Sequence, residues 1–77
     1  MISVREQKII DVLGRRRMTY ESLSNEVFAD TEAPFDSQIS IGNSVRRIIK
    51  KCEAEKLKWT LVKKKINTRL VVWRISA

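Results

Sequence analysis

Asn43, Arg46, Arg47 and Lys50 recur at the spacing that gathers side chains on one face of a helix, and Lys63, Lys64, Lys65 and Arg69 crowd the stretch 63–69. These types suit the binding of a polyanion with edges to read. Arginine can hold guanine O6 and N7 through two parallel hydrogen bonds, asparagine can do the same for adenine N6 and N7, and lysine meets phosphate as a point charge. Gln38 and Ser40 lie just ahead of the first group and extend it toward the amino terminus. Covalent and metal chemistry have little to draw on. The chain has no histidine, one cysteine and no glycine-rich phosphate cradle. We therefore expect no enzyme, no cofactor, no metal site and no small-molecule ligand.

The charge is unevenly spread. Residues 1–37 carry five basic and seven acidic side chains, whereas residues 38–77 carry eleven basic and two acidic ones, so the net +7 belongs to one half of the sequence. Such asymmetry favours a directional anion-binding face over a generally solvated basic surface. With 77 residues the chain is expected to form one domain, 1–77, and its 43% apolar content argues for a packed unit despite 32% charged residues. No apolar run approaches the ~18 residues of a membrane span. The start, Met-Ile-Ser-Val-Arg-Glu, lacks the layout of a signal peptide, and a lone cysteine excludes an internal disulfide, so a cytoplasmic location without membrane contact is expected.

The elements that must position these residues follow from periodicity. Ser3 and Glu6 form a capping box, Ile9, Ile10 and Leu13 make an apolar stripe, and Gly14 supplies a left-handed stop, which predicts a helix over about 4–13. Arg15-Arg16-Arg17-Met18 is a connector or short edge strand with solvent-facing arginines, an accessory basic set. Thr19 caps a second helix that runs to about Phe28, with Leu23, Val27 and Phe28 on its apolar side and Tyr20 near its start. Pro34 sits in a loop of about eight residues. Asp36 or Ser37 then caps a third helix, about 38–54, whose positions 41, 45, 48, 49 and 52 form a core stripe that includes Cys52. Its opposite face centres on Asn43 and Lys50. Gly42 weakens a helix interior, which a closely approaching backbone, of a helix or of DNA, would justify and a fraying first turn would explain equally well.

Past Lys56 the period changes to that of strands. Pairing Leu57 with Ile75, Trp59 with Trp73 and Leu61 with Val71 puts six large side chains on one face and buries both tryptophans. That register leaves a loop of about five residues, Lys64 to Thr68, with Asn67 suited to a left-handed turn position, and places Val62, Leu70 and Val72 on the outer face.

The order helix, connector, helix, loop, helix, hairpin resembles the winged helix-turn-helix superfamily over nearly the whole chain. Met18-Thr-Tyr-Glu-Ser-Leu23 looks like the start of many second helices in these domains. Ile41 to Cys52, with Arg46-Arg47, resembles the recognition-helix pattern of effector domains in bacterial transcriptional regulators, and the hairpin ending Val72-Trp73-Arg74-Ile75 takes the place of the wing. The chain departs from those effector domains in lacking their preceding strands and a glycine in the wing turn. Compact stand-alone chains of this kind are similar to regulators from phages, plasmids or archaeal viruses. The resemblance implies an α+β fold, three helices followed by a two-stranded β-hairpin wing at 58–75. It also implies sequence-specific binding of double-stranded DNA for transcription regulation, with the third helix in the major groove and the wing on phosphates. Gln38, Ser40, Asn43, Arg46, Arg47 and Lys50 would then meet bases or phosphates, and Lys63, Lys64, Lys65 and Arg69 phosphates alone.

A second reading makes the domain a protein-interaction module of a replication or recombination complex, with the acidic Asp30-Thr-Glu32 loop toward a basic partner. A chain this small reads few base pairs, so operator binding points toward a homodimer or adjacent sites. The outer hairpin face or the first helix offers the surface for a homodimer.

Overall fold

The structure, a computed structural model, describes residues 2–76. Its order is α1 (Val4–Leu13), β1 (Met18–Thr19), α2 (Tyr20–Val27), α3 (Ser37–Ala54), β2 (Trp59–Ile66) and β3 (Arg69–Ser76). The α+β class and the three helices match the expectation. The sheet is larger than a two-stranded hairpin. Met18 and Thr19 pair antiparallel with Val72 and Val71, so β3 lies between β1 and β2 in a three-stranded antiparallel sheet. The stretch before α2 thus resolves into an edge strand, too short for sequence periodicity to mark it.

Local chemistry sets the helix ends. At α1 the Ser3 Oγ accepts the Glu6 backbone N–H at 3.2 Å while Glu6 Oε1 accepts the Ser3 backbone N–H at 2.8 Å, a closed capping box. Gly14 ends the helix at φ +53°, a conformation that side-chain-bearing residues resist. Thr19 Oγ1 accepts the Ser22 N–H at 3.1 Å to start α2. At α3 the expected cap does not form. Asp36 occupies the N-cap position, but its side chain makes no cap hydrogen bond.

The three helices and the sheet meet in one apolar cluster. Ile9 and Leu13 of α1, Leu23 of α2, Ile41, Val45 and Ile48 of α3, and Val72 of β3 are its largest fully buried side chains. Burying each contributes about 1.5–3 kcal/mol, so this cluster outweighs the caps, worth ~1 kcal/mol apiece. Cys52 lies at its edge, buried as expected, and burial raises its thiol pKa. Gly42 also has its reason here. A Cβ at that position would lie 3.2 Å from Tyr20 Cε2, so the missing side chain lets the start of α2 pack against α3.

The hairpin register differs from the expected one. Leu61 pairs with Arg74, Val62 with Trp73 and Lys63 with Val72, and the strands close through a two-residue turn, Asn67-Thr68, in place of a five-residue loop. Both turn residues have positive φ, 49° and 67°, the geometry whose twist matches that of the flanking strands. The three-residue shift changes parity, and parity decides which side chains are buried. Leu61 and Val72 enter the core, and Val72 and Leu70, which share the face of Leu61, therefore do not belong to the outer face, where Val62 remains. The two tryptophans end on opposite faces and neither is fully buried. Trp59 packs against the core cluster, whereas Trp73 shares the outer face with Val62 and Val71 under the guanidinium of Arg17, 4.6 Å from the ring centroid. Alternation alone could not choose, because β3 carries large apolar residues at consecutive positions from Leu70 to Trp73.

Among the described residues no helix is long and apolar enough to cross a membrane.

Candidate nucleic-acid interface

Between the amino-terminal half of α3 and the tip of the β2–β3 hairpin lies a cleft of about 670 Å³. From α3 its wall receives Gln38, Asn43 and Arg46, and from the hairpin Lys63, Lys64, Lys65 and Arg69, all read from the sequence as candidate contacts. The core anchors both walls. On α3, Ile41, Val45 and Ile48 are buried, which forces Asn43 and Arg46 outward. On the hairpin the same division runs along the strands. Leu61 and Val72 are buried, but every residue from Lys63 to Leu70 is exposed, so the tip projects beyond the core.

The cross-strand pairs sort the tip cations. Lys63 and Lys65 share the face of Leu61, Val72 and Leu70, whereas Lys64 and Arg69 share the face of Val71. Both sets still contribute to the cleft lining near the turn. Among the described residues none of Arg46, Lys63, Lys64, Lys65 and Arg69 makes an ion pair or stacks on a ring. Glu21 is the carboxylate in the lining, one against five cations. Confined like-charged groups of this kind raise the local potential and concentrate anions.

Three sequence candidates stand apart. Ser40 and Arg47 line a smaller depression with Ser3, Val4 and Arg5 at the start of α1, and Asn43 borders both hollows. The cause is geometric, since consecutive helical residues point ~100° apart and Arg46 and Arg47 fall on different flanks. Lys50 is exposed further along α3 and lines neither hollow. The accessory arginines are also separate. Arg16 bonds Glu26 at 3.1 Å, and Arg17 covers Trp73.

Sequence reasoning gave Ile39 and Thr68 no role and did not place Gly42 or Leu70 beside the cations, yet all four line the cleft. Ile39 carried a signal of its own. It precedes Asn43, Arg46 and Lys50 at the same i, i+4, i+7, i+11 spacing that Ile41, Val45, Ile48 and Cys52 keep in the core, so it is an apolar member of the exposed row. Tyr20 closes the floor. Its ring lies against Gly42, it is 6% exposed, and its hydroxyl has no hydrogen-bond partner among the described residues. Burial raises the phenol pKa above its ordinary value, against the opposing charge of Arg46.

Compared with family models, curated proteins and solved structures, the chain matches none.

Proposed function

We propose that this chain is a winged helix that binds double-stranded DNA as a transcriptional regulator, with α3 in the major groove and the β2–β3 hairpin as the wing on the phosphate backbone. The observation that carries the reading is the cleft itself. Five cations from two elements converge there, and among the described residues none has a carboxylate or ring partner; of the eleven cations elsewhere six have such partners and five, scattered outside the cleft, do not. Unpartnered cations at close range repel one another in the free protein, and a phosphate backbone would offset that repulsion. The three helices and antiparallel sheet are compatible with a winged helix. The division of labour follows from chemistry. Asn43 and Arg46 on α3 carry the planar groups that distinguish base edges, and the hairpin lysines can only hold phosphates.

Fluorescence-anisotropy titration of the protein against a random-sequence duplex at several salt concentrations tests the reading. Lys64→Ala combined with Lys65→Ala should weaken binding to all duplexes alike and reduce the slope of log K against log salt by about 1.8, near 0.9 for each phosphate contact. Arg46→Ala should in addition flatten the preference among sequences. Absence of duplex binding at low salt, or an unchanged slope in the double variant, would refute the proposal.

A further inference from the structure

We infer that Ile39 is a specificity-determining residue that reads the C5-methyl group of thymine, an inference that rests on the DNA-binding reading above. Ile39 is 62% exposed, yet it sits in the first turns of α3 inside the otherwise polar row that ends with Asn43, Arg46 and Lys50. At ~100° per residue it lies about 40° from Asn43, so whatever Asn43 faces, Ile39 faces too. Packing does not account for it. It is outside the core cluster and outside the set of half-buried residues that pack on that cluster. Phe35 and Val4 are more exposed still, but they line no part of the cleft.

The apolar surface continues across the cleft. Leu70, 45% exposed, stands on the hairpin wall, and the ring of Tyr20 and the bare backbone at Gly42 lie between the two sides. The cleft lining therefore combines apolar groups, Ile39, Leu70 and the Tyr20 ring, with five cations. A phosphate-only ligand would gain nothing from Ile39. In the major groove, the thymine methyl is the apolar group that a base pair presents, and aliphatic or other small apolar side chains meet it. The methyl belongs to a base whose partner is adenine, the base that asparagine grips through N6 and N7, so Ile39 and Asn43 are matched to neighbouring features of A·T-containing steps. Leu70 is placed to touch the sugar face of the strand that the hairpin lysines hold.

The test uses the full chain and duplexes enriched by it from a random pool, each resynthesised with deoxyuridine at every thymidine, which deletes the methyl and keeps the pairing edge. Anisotropy titration should show the unmodified protein losing about fourfold in affinity for each contacted methyl removed. Ile39→Ala should bind the thymidine duplexes more weakly by a similar factor and be indifferent to the deoxyuridine exchange. Its melting temperature should stay near that of the unmodified chain, because the side chain is exposed and alanine is the better helix former. Enriched duplexes that bind but are insensitive to deoxyuridine, or an Ile39→Ala variant as sensitive as the parent, would overturn the inference and leave DNA binding standing. Failure to enrich any duplex would overturn both.

Discussion

Eleven of the sixteen Lys and Arg side chains fall into two populations, six engaged by carboxylates or rings outside the α3–hairpin cleft and five that line it; Arg15, Arg47, Lys50, Lys56 and Lys58 belong to neither. In the first, Lys8 bonds Asp30 at 2.9 Å, Arg16 bonds Glu26 at 3.1 Å, Lys51 bonds Glu6 at 2.6 Å, and Arg5, Arg17 and Arg74 lie over Phe28, Trp73 and Trp59. In the second, Arg46, Lys63, Lys64, Lys65 and Arg69 have neither kind of partner among the described residues. Seven of the nine Asp and Glu side chains sit in residues 1–37, and of these Glu21 alone is part of the cleft lining. Charge in the first population is compensated within the protein, whereas charge in the second is not. The two should therefore respond differently to mutation, salt and pH.

The largest effect should come from Lys51. Glu6 is 2% exposed, and its carboxylate both closes the α1 capping box and receives Lys51 from α3. Its second oxygen, Oε2, is buried with no hydrogen-bond partner among the described residues, so this carboxylate depends heavily on Lys51. Removing one member of a buried pair leaves an uncompensated charge, and since Lys51 is itself partly exposed, Lys51→Met should cost about 2–3 kcal/mol, at or below the low end for buried pairs. Denaturant unfolding measures it. The double variant Glu6→Gln, Lys51→Met removes both charges and keeps a residue that can complete the capping box, so it should recover most of the loss. If both variants lose equally, the interaction is packing and the division of cations by charge role is wrong.

The same pair predicts a pH response. Burial works to raise the Glu6 pKa, but the Lys51 and Ser3 hydrogen bonds outweigh it and hold the carboxyl below its ordinary value. A depressed folded-state pKa gives stability that is present above the unfolded value of about 4.3 and is lost as pH falls through the folded one. Glu6→Gln should flatten stability against pH in that acid range. Cleft variants such as Lys64→Ala should leave the acid limb unchanged. Equal flattening in both would erase the distinction between the two regions.

The core side of this contrast was more legible in the sequence than the cleft side. The capping box at Ser3, the stop at Gly14 and the α3 stripe each follow from local rules that act within a few residues, and the structure keeps them. Register does not follow from local rules. With large apolar residues at consecutive positions along β3, either face could have been the buried one, and the two-residue turn at Asn67-Thr68 decides it. The strand at Met18-Thr19 exists because β3 is there to pair with it, a long-range cause that no window around it contains. For the site, the sequence supplied the cations and α3 polarity. It did not separate Arg46 from Arg47, because that depends on where α1 and the hairpin lie, nor did it connect Gly42 with Tyr20.

A smaller effect belongs to the turn that builds the cleft wall. Thr68 holds φ 67°, a left-handed conformation that a β-branched residue adopts at a cost of about 1–2 kcal/mol. Glycine adopts it freely but loses ~0.5–1 kcal/mol more entropy on ordering. Thr68→Gly should therefore stabilise the chain by up to about 1 kcal/mol, read as a higher denaturant midpoint, while leaving the salt dependence of duplex binding intact. A loss of stability would mean that Thr68 is held by something other than the turn.

The smallest effect carries a sign that separates the two populations. The exposed pairs Lys8–Asp30 and Arg16–Glu26 should each contribute little, so Arg16→Ala should lower stability slightly, and less so at high salt. Lys64→Ala with Lys65→Ala removes charges that repel their neighbours on the same tip, so stability should rise by a few tenths of a kcal/mol at low salt and the gain should fade as salt screens the repulsion. Both changes delete exposed cations from a chain of net +7, so relief of overall charge would stabilise both. Opposite signs in parallel unfolding curves at two salt concentrations require that the periphery cations are engaged and the cleft cations strained. The same sign in both would make the cleft an ordinary solvated surface and remove the electrostatic basis for a bound polyanion.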